Sequence, residues 1–262
     1  MVSSTAAGNI SIQDTIDISD ISDDNVLLPF EKSAYVNKPY VFSTLETLEK
    51  AIIQAREETL DTLYRKVKRI WSKYIAEDDY HISLCAADCI FTYFQDKIGL
   101  THYLFFVGDN DSGKSNNLHV IHFVRYRNML SPDMTPANIY SFLGTEYEGI
   151  GNICEDEADD IDEDREKMKI YKNGYTAGIK VFRLDLSQSG GRKQNAYNTF
   201  CFKAFAGEKR PNSKKAKGFN QRVIELACTY GIPQLDVSEV INPAGNNEDQ
   251  EFITDIQTTT LL

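Results

Sequence analysis

Residues 104–115 read Leu104-Phe-Phe-Val-Gly108-Asp-Asn-Asp-Ser-Gly113-Lys114-Ser115: four consecutive apolar side chains, then a Gly-x-x-x-x-Gly-Lys-Ser loop. An apolar run without alternation predicts a strand buried on both faces, the condition of a parallel sheet covered by helices. The loop has the phosphate-cradling P-loop pattern, in which backbone amides and the N-terminus of the next helix face phosphate oxygens. Gly108 and Gly113 allow backbone angles and close approaches that a Cβ forbids. The predicted phosphate-binding set is Gly108, Asp109, Asn110, Asp111, Ser112, Gly113, Lys114, Ser115 and Asn116. Within it Lys114 would reach the β- and γ-phosphates, and the Ser115 hydroxyl would hold Mg²⁺. Leu118, Val120, Ile121 and Val124 follow as the apolar face of a helix. A turn that binds nothing has no use for Lys-Ser at this place, so ATP with Mg²⁺ is the expected ligand.

Composition bounds the rest. With 262 residues, 42% of them hydrophobic, the chain has material for one good core, or for a core and a helical annex. No apolar run is long enough to span a bilayer, so no membrane partner is expected. The N-terminus, MVSSTAAGNISIQDTIDISDISDD, has no basic region followed by an apolar block and does not read as a secretory signal. Cys85, Cys89, Cys154, Cys201 and Cys228 are odd in number and scattered. Such spacing fits reduced thiols used as small core residues, and a cytoplasmic protein. The net charge of −11 disfavours nucleic acid as a general partner. The charge is uneven, however. Acid gathers in 13–24, in 155–166 and near Glu248; base gathers in Lys203, Lys209, Arg210, Lys214, Lys215, Lys217 and Arg222, with Glu208 the only nearby acid. That basic segment suits a polynucleotide, a neighbouring subunit or plain solvent.

Four regions are expected: a disordered acidic tail over 1–28, a helical annex over 29–99, a core over 100–241 and a flexible C-terminal tail over 242–262. A capping box at Ser43-x-x-Glu46 opens a helix whose apolar residues (Leu45, Leu48, Ile52, Ala55, Leu60, Leu63, Val67, Ile70, Tyr74) carry it to about Tyr74. A second helix, His81 to Ile98, stops at Gly99. His81, Cys85 and Cys89 share one of its faces, and core packing accounts for them better than zinc. Beyond Thr101 strands are expected at 102–107, 148–155, 179–186, 199–206 and 222–228. Helices are expected at 114–130, 135–143 and 162–174, and a loop at 187–198. Alternation of this kind predicts an α/β fold.

The segment Ile150-Gly-Asn-Ile-Cys-Glu155-Asp156-Glu157-Ala158-Asp159 supplies the acid that such a site needs. Asp156 would hold the Ser115-bound Mg²⁺, and Glu157 would polarise the attacking water. Glu155 stands where an apolar residue is usual. Together with the loop, these residues resemble AAA+ ATPases, on the branch of superfamily III replication helicases and mobile-element ATPases. The resemblance covers roughly 100–235. It includes Lys172-Asn-Gly174-Tyr-Thr-Ala-Gly178-Ile-Lys180-Val-Phe-Arg183, Thr199-Phe-Cys-Phe-Lys-Ala-Phe-Ala-Gly207 and Gly218-Phe-Asn-Gln-Arg222-Val-Ile-Glu-Leu. It implies a P-loop NTPase three-layer sandwich with a parallel central sheet, preceded by the N-terminal helical annex. It also implies a catalytic group of Lys114, Glu157 and the arginine finger Arg222, with Arg210 in reserve. The pattern departs where the family often closes its fourth strand with Asn or Thr, since Glu208 and Lys209 follow Gly207 here. The letters of 156–159 also spell DEAD, but the chain has neither room for a second RecA-like domain nor a Ser-Ala-Thr motif.

The resulting expectation is a Mg²⁺-dependent ATPase working on DNA as a homo-oligomer, with Lys180, Arg183, Arg192 and Lys193 as candidate phosphate contacts. The rival expectation is a regulatory ATP switch that meets a protein partner through the helical annex.

Overall fold

The computed structural model describes residues 2–4, 10–12, 45–145, 151–185, 193–238 and 248–261. Strands β1 (Val2–Ser4) and β2 (Ile10–Ile12) pair antiparallel. Helices α1 (Leu45–Glu57), α2 (Leu60–Tyr74) and α3 (Asp79–Phe91) follow, the last continued by a 3₁₀ segment, Thr92–Lys97. Strand β3 (Tyr103–Val107) leads into α4 (Lys114–Val124), then β4 (Asn128–Ser131), α5 (Pro136–Thr145), β5 (Asn152–Glu155) and α6 (Arg165–Asn173). Strands β6 (Lys180–Asp185) and β7 (Lys193–Asn198) precede β8 (Lys203–Gly207), α7 (Lys217–Asn220), β9 (Val223–Ala227) and α8 (Glu248–Leu261).

Five strands make one parallel sheet in the order β4-β5-β8-β3-β9. Because all run the same way, the loops after β3, β5 and β8 emerge at a single edge. Alternate side chains of β3 serve opposite faces. Leu104 and Phe106 pack with α4 (Leu118, Ile121, Val124) and with the annex residues Ile70, Trp71, Cys85 and Cys89. Tyr103 and Phe105 pack with Ile139 and Leu143 of α5, Met168 and Tyr171 of α6, and Phe219. The fold is thus a P-loop NTPase three-layer α/β sandwich preceded by helices. The annex shares the core of one face, so the boundary expected at residue 100 falls inside a continuous apolar cluster.

Burial and capping explain where sequence expectations and structure differ. The helix expected to reach Tyr74 breaks at Thr59, whose hydroxyl accepts from Thr62 N (3.2 Å) while Thr62 Oγ1 accepts from Thr59 N (3.0 Å); that reciprocal cap starts α2 anew. The Ser43 cap lies outside the described residues. Helix α4 ends at Val124 rather than 130, and 128–131 is a strand, because the fully buried Arg125 turns back to Asp88 (2.5 and 2.8 Å). Residues 180–185 do not join the sheet; they pair with 193–198, part of the expected loop, as an antiparallel hairpin. Lys180-Val-Phe-Arg alternates, and Phe182 is 61% exposed, whereas an inner parallel strand is apolar on both faces. Residues 248–261, expected as a flexible tail, form α8. Asp249 of α8 accepts from Lys73 Nζ (2.5 Å) and Tyr74 Oη (2.7 Å), and Ile253 and Ile256 are buried. Of the 1–28 tail, only the β1–β2 pair is described.

All five cysteines are free and buried, and burial pushes the Cys154 and Cys228 thiols up to about 12. Among the described residues no helix is long and apolar enough to cross a membrane, and no cluster of three or more His, Cys, Asp or Glu residues suits a metal ion.

Candidate functional site

At the sheet edge where β3, β5 and β8 end lies a cavity of about 790 Å³. It is lined by Asn110–Asn116, by Asp156, Glu157, Asp159 and Asp160, and by Gly207, Glu208 and Gly231. The loop wall depends on two glycines. A Cβ on Gly108 would stand 2.4 Å from Ser112 Oγ and 2.5 Å from the Cys228 carbonyl, so only glycine lets the loop close on the end of β9. Gly113 has φ +84°, in the left-handed region, and turns the chain into α4. Lys114 Nζ donates to the carbonyls of Gly108 (2.7 Å) and Asp109 (2.6 Å), which holds the ammonium across the mouth of the loop. Ser115 is half-buried in the first turn of α4. Gly108 and Asp109 carry the loop's base rather than line the cavity.

The acidic wall comes from β5. Asp156 N donates to the Ser131 carbonyl, extending the β4 pairing by one residue. At Glu157 the chain turns sharply, with φ +51°, and its amide bonds Asp156 Oδ1 (3.0 Å). The turn exposes Glu157 on the cavity while burying Ala158. Glu155 points the other way. It is 2% exposed and accepts from Lys167 Nζ and Tyr171 Oη, each at 2.5 Å. Burial raises its pKa against the pull of those two donors. An acidic residue can occupy this strand because α6 brings both partners.

Strand β8 lies between β3 and β5, and so delivers Gly207 and Glu208 to the middle of the mouth. Asp159 Oδ1 accepts from the amides of Glu208 (2.8 Å) and Lys209 (3.1 Å). A Cβ on Gly207 would stand 3.0 Å from the same carboxylate. Asp159 therefore clamps the end of β8 to the acidic turn, a job its position in sequence did not reveal. His119, one turn beyond Ser115 on α4, also reaches this region: burial lowers its pKa and Asp156 pulls it back up. Sequence reasoning passed over Asp160 and Gly231; only the chain's return along β9 brings Gly231 alongside.

Arg222 is not part of this cavity. It precedes β9, at the opposite edge of the sheet, a strand length of about 16 Å from the loop. Its guanidinium stacks over Tyr175 (3.7 Å) and donates to the Gly218 carbonyl. Arg210 pairs with Glu225. Lys203, grouped by sequence with the basic segment, is fully buried and donates to the carbonyls of Gly174, Thr199 and Cys201 (3.0–3.2 Å); burial lowers its pKa. Lys209, Lys214, Lys215 and Lys217 remain exposed. Arg183 pairs with Glu166 and lies 4.7 Å from the Tyr140 ring. Arg192 falls outside the described residues.

No protein-family model and no curated protein sequence matches the chain. Among solved structures it is similar to a ligand-bound JCV helicase (TM-score 0.40, 11% identity, 83% of this chain and 61% of that one). Others are the NrS-1 C-terminal region (TM-score 0.37, 13% identity, 77% and 43%) and NtrX from Brucella abortus in complex with ADP (TM-score 0.33, 12% identity, 71% and 46%). The chain spans between 43% and 61% of the length of these structures. Its assignment to the P-loop NTPase fold rests on the loop, the strand order and the placement of the acidic turn.

Proposed function

We propose that the chain binds and hydrolyses ATP with Mg²⁺, acts as an oligomer, and couples turnover to DNA in a helicase-like role. The observation that carries this reading is the cavity, where the Gly-rich loop and Lys114 face Asp156 and Glu157 across the end of β8. The donor set fits the ligands. Lys114 and the loop amides suit phosphate oxygens. The Ser115 hydroxyl and the Asp156 carboxylate are the hard oxygen donors that Mg²⁺ prefers. Glu157, exposed and free of the clamp that occupies Asp159, is the group to take a proton from water. Bound Mg²⁺ would neutralise charge on the phosphates. Coupling to DNA draws on the exposed lysines 209, 214, 215 and 217 and on the β6–β7 hairpin. The net charge of −11 favours a second reading, a regulatory ATP switch acting on a protein partner.

ATPase activity measured with and without single-stranded DNA, across a salt series, separates the two. Stimulation that fades steeply with salt is expected, because phosphate contacts release counterions. Turnover indifferent to DNA would favour the switch. Lys114→Ala is expected to lose ATP binding while folding normally. Equal affinity in that folded variant would sink the nucleotide-site assignment.

Arg222 could meet a nucleotide only in a neighbouring subunit, after leaving Tyr175. Arg222→Ala should then bind ATP nearly normally and hydrolyse it slowly. Mixing it with Glu157→Gln should restore part of the activity, since one mixed interface pairs an intact Glu157 with an intact Arg222. A variant that melts early, or subunits that co-assemble without recovery, would leave Arg222 a structural tie between β9 and Tyr175.

A further inference from the structure

The annex reaches the phosphate loop through two buried side chains that the proposed chemistry does not use. His81 of α3 is 4% exposed and its ring stacks on Phe106 of β3, with centroids 5.6 Å apart. Its Nε2 lies 2.9 Å from Oδ1 of Asn117, which is 1% exposed. Asn117 Nδ2 donates in turn to the Gly113 carbonyl (3.0 Å), which also accepts from the Asn117 amide (3.2 Å). Because the Asn117 amide group donates to Gly113, its oxygen must be the acceptor toward the imidazole. The imidazole therefore donates from Nε2.

The Gly113 carbonyl belongs to the same planar peptide unit as the Lys114 amide. Fixing the C=O on one side fixes the direction of the N–H on the other. Gly113, at φ +84° and without a Cβ, has no side-chain packing of its own to hold that unit. We infer that His81 and Asn117 form a relay by which the annex presets the Gly113–Lys114 peptide for phosphate, and that both are positioning residues for nucleotide binding. The inference rests on the ATP-site reading above. It assigns the annex a part in the site: α3 is one wall of the phosphate loop's support.

Fluorescent methylanthraniloyl-ATP with Mg²⁺ tests it on the full chain, alongside melting without nucleotide. His81→Phe keeps a ring over Phe106 and loses the donor; its Kd should rise about tenfold. His81→Gln can keep a donor toward Asn117 and should bind within about twofold of wild type. Asn117→Asp keeps the acceptor for His81 but turns a carboxylate on the Gly113 carbonyl, so its Kd should rise further. A purely structural relay would shift the melting temperature of all three and leave the Kd of the folded variants unchanged. That result overturns the inference, as does a Gln variant as weak as Phe. If His81→Phe does not fold, Asn117→Asp decides alone. Wild type that fails to bind the probe would instead overturn the nucleotide-site reading itself.

Discussion

Glu157→Gln is expected to bind ATP as the parent does and to lose kcat by about 10²–10⁴-fold, the usual worth of a positioned general base. Glutamine keeps the size and hydrogen-bonding oxygen of the side chain but cannot accept the proton of an attacking water. The structure sharpens the expectation. Glu157 is exposed on the cavity after a left-handed turn, while its neighbours are committed: Glu155 to Lys167 and Tyr171, Asp159 to two backbone amides. Single-turnover kinetics at saturating ATP would check it. Undiminished hydrolysis would pass the role to Glu208, which lines the same cavity.

The second large effect concerns stability. Asp88 on α3 accepts from Arg125 Nε (2.8 Å) and Nη2 (2.5 Å) and from His102 Nε2 (2.9 Å), and both members of the Asp88–Arg125 pair are buried. Asp88→Leu should cost about 3–5 kcal/mol, because it strands a guanidinium that has no route to water. A domain's whole stability is about 5–15 kcal/mol, so the variant should be largely unfolded or close to it. Urea denaturation measures the loss. Pairing Asp88→Leu with Arg125→Met should recover most of it, since the desolvation problem disappears with both charges. A single variant within about 1 kcal/mol of the parent would show that the pair does not hold the annex to α4. The same pair sets an acid limit. Burial opposes ionisation of Asp88, but Arg125 and His102 overcome it and hold the carboxyl below its ordinary value. A lowered folded pKa means stability that is complete above the unfolded value, about 3.9, and lost as pH falls through the folded one.

Much of the architecture was legible because it is written in short-range pattern. The apolar run before Gly108 gave an inner strand, Gly113-Lys114-Ser115 gave a helix start, and the acid after Ile153 gave the acidic wall of the cavity. Errors fell where a distant contact overrode local preference. Arg125 ended α4 early because the carboxylate that compensates it, Asp88, lies on α3. The segment 180–185 was apolar enough to resemble a sheet strand, yet its alternation suits a hairpin with one face exposed. Asp249 found Lys73 and Tyr74 and ordered a segment that by composition looked loose.

The sequence alone determined the strand, glycine-bearing loop and helix of 104–124, the acidic segment after Ile153 and the layered α/β class, since each depends on residues within a few positions of one another. Only the tertiary structure decided which carboxylates of that acidic segment are taken up by hydrogen bonds and which stay exposed. Strand order set β8 between β3 and β5, tied Asp159 to the end of β8, and left Glu157 exposed on the cavity that Lys114 also lines. It also buried Lys203 away from any polynucleotide and carried Arg222 to the far edge of the sheet. Contacts such as His81 with Asn117, 36 residues apart, leave no periodic trace in a chain. They arise from how helices and strands pack, and packing is decided by the whole core at once.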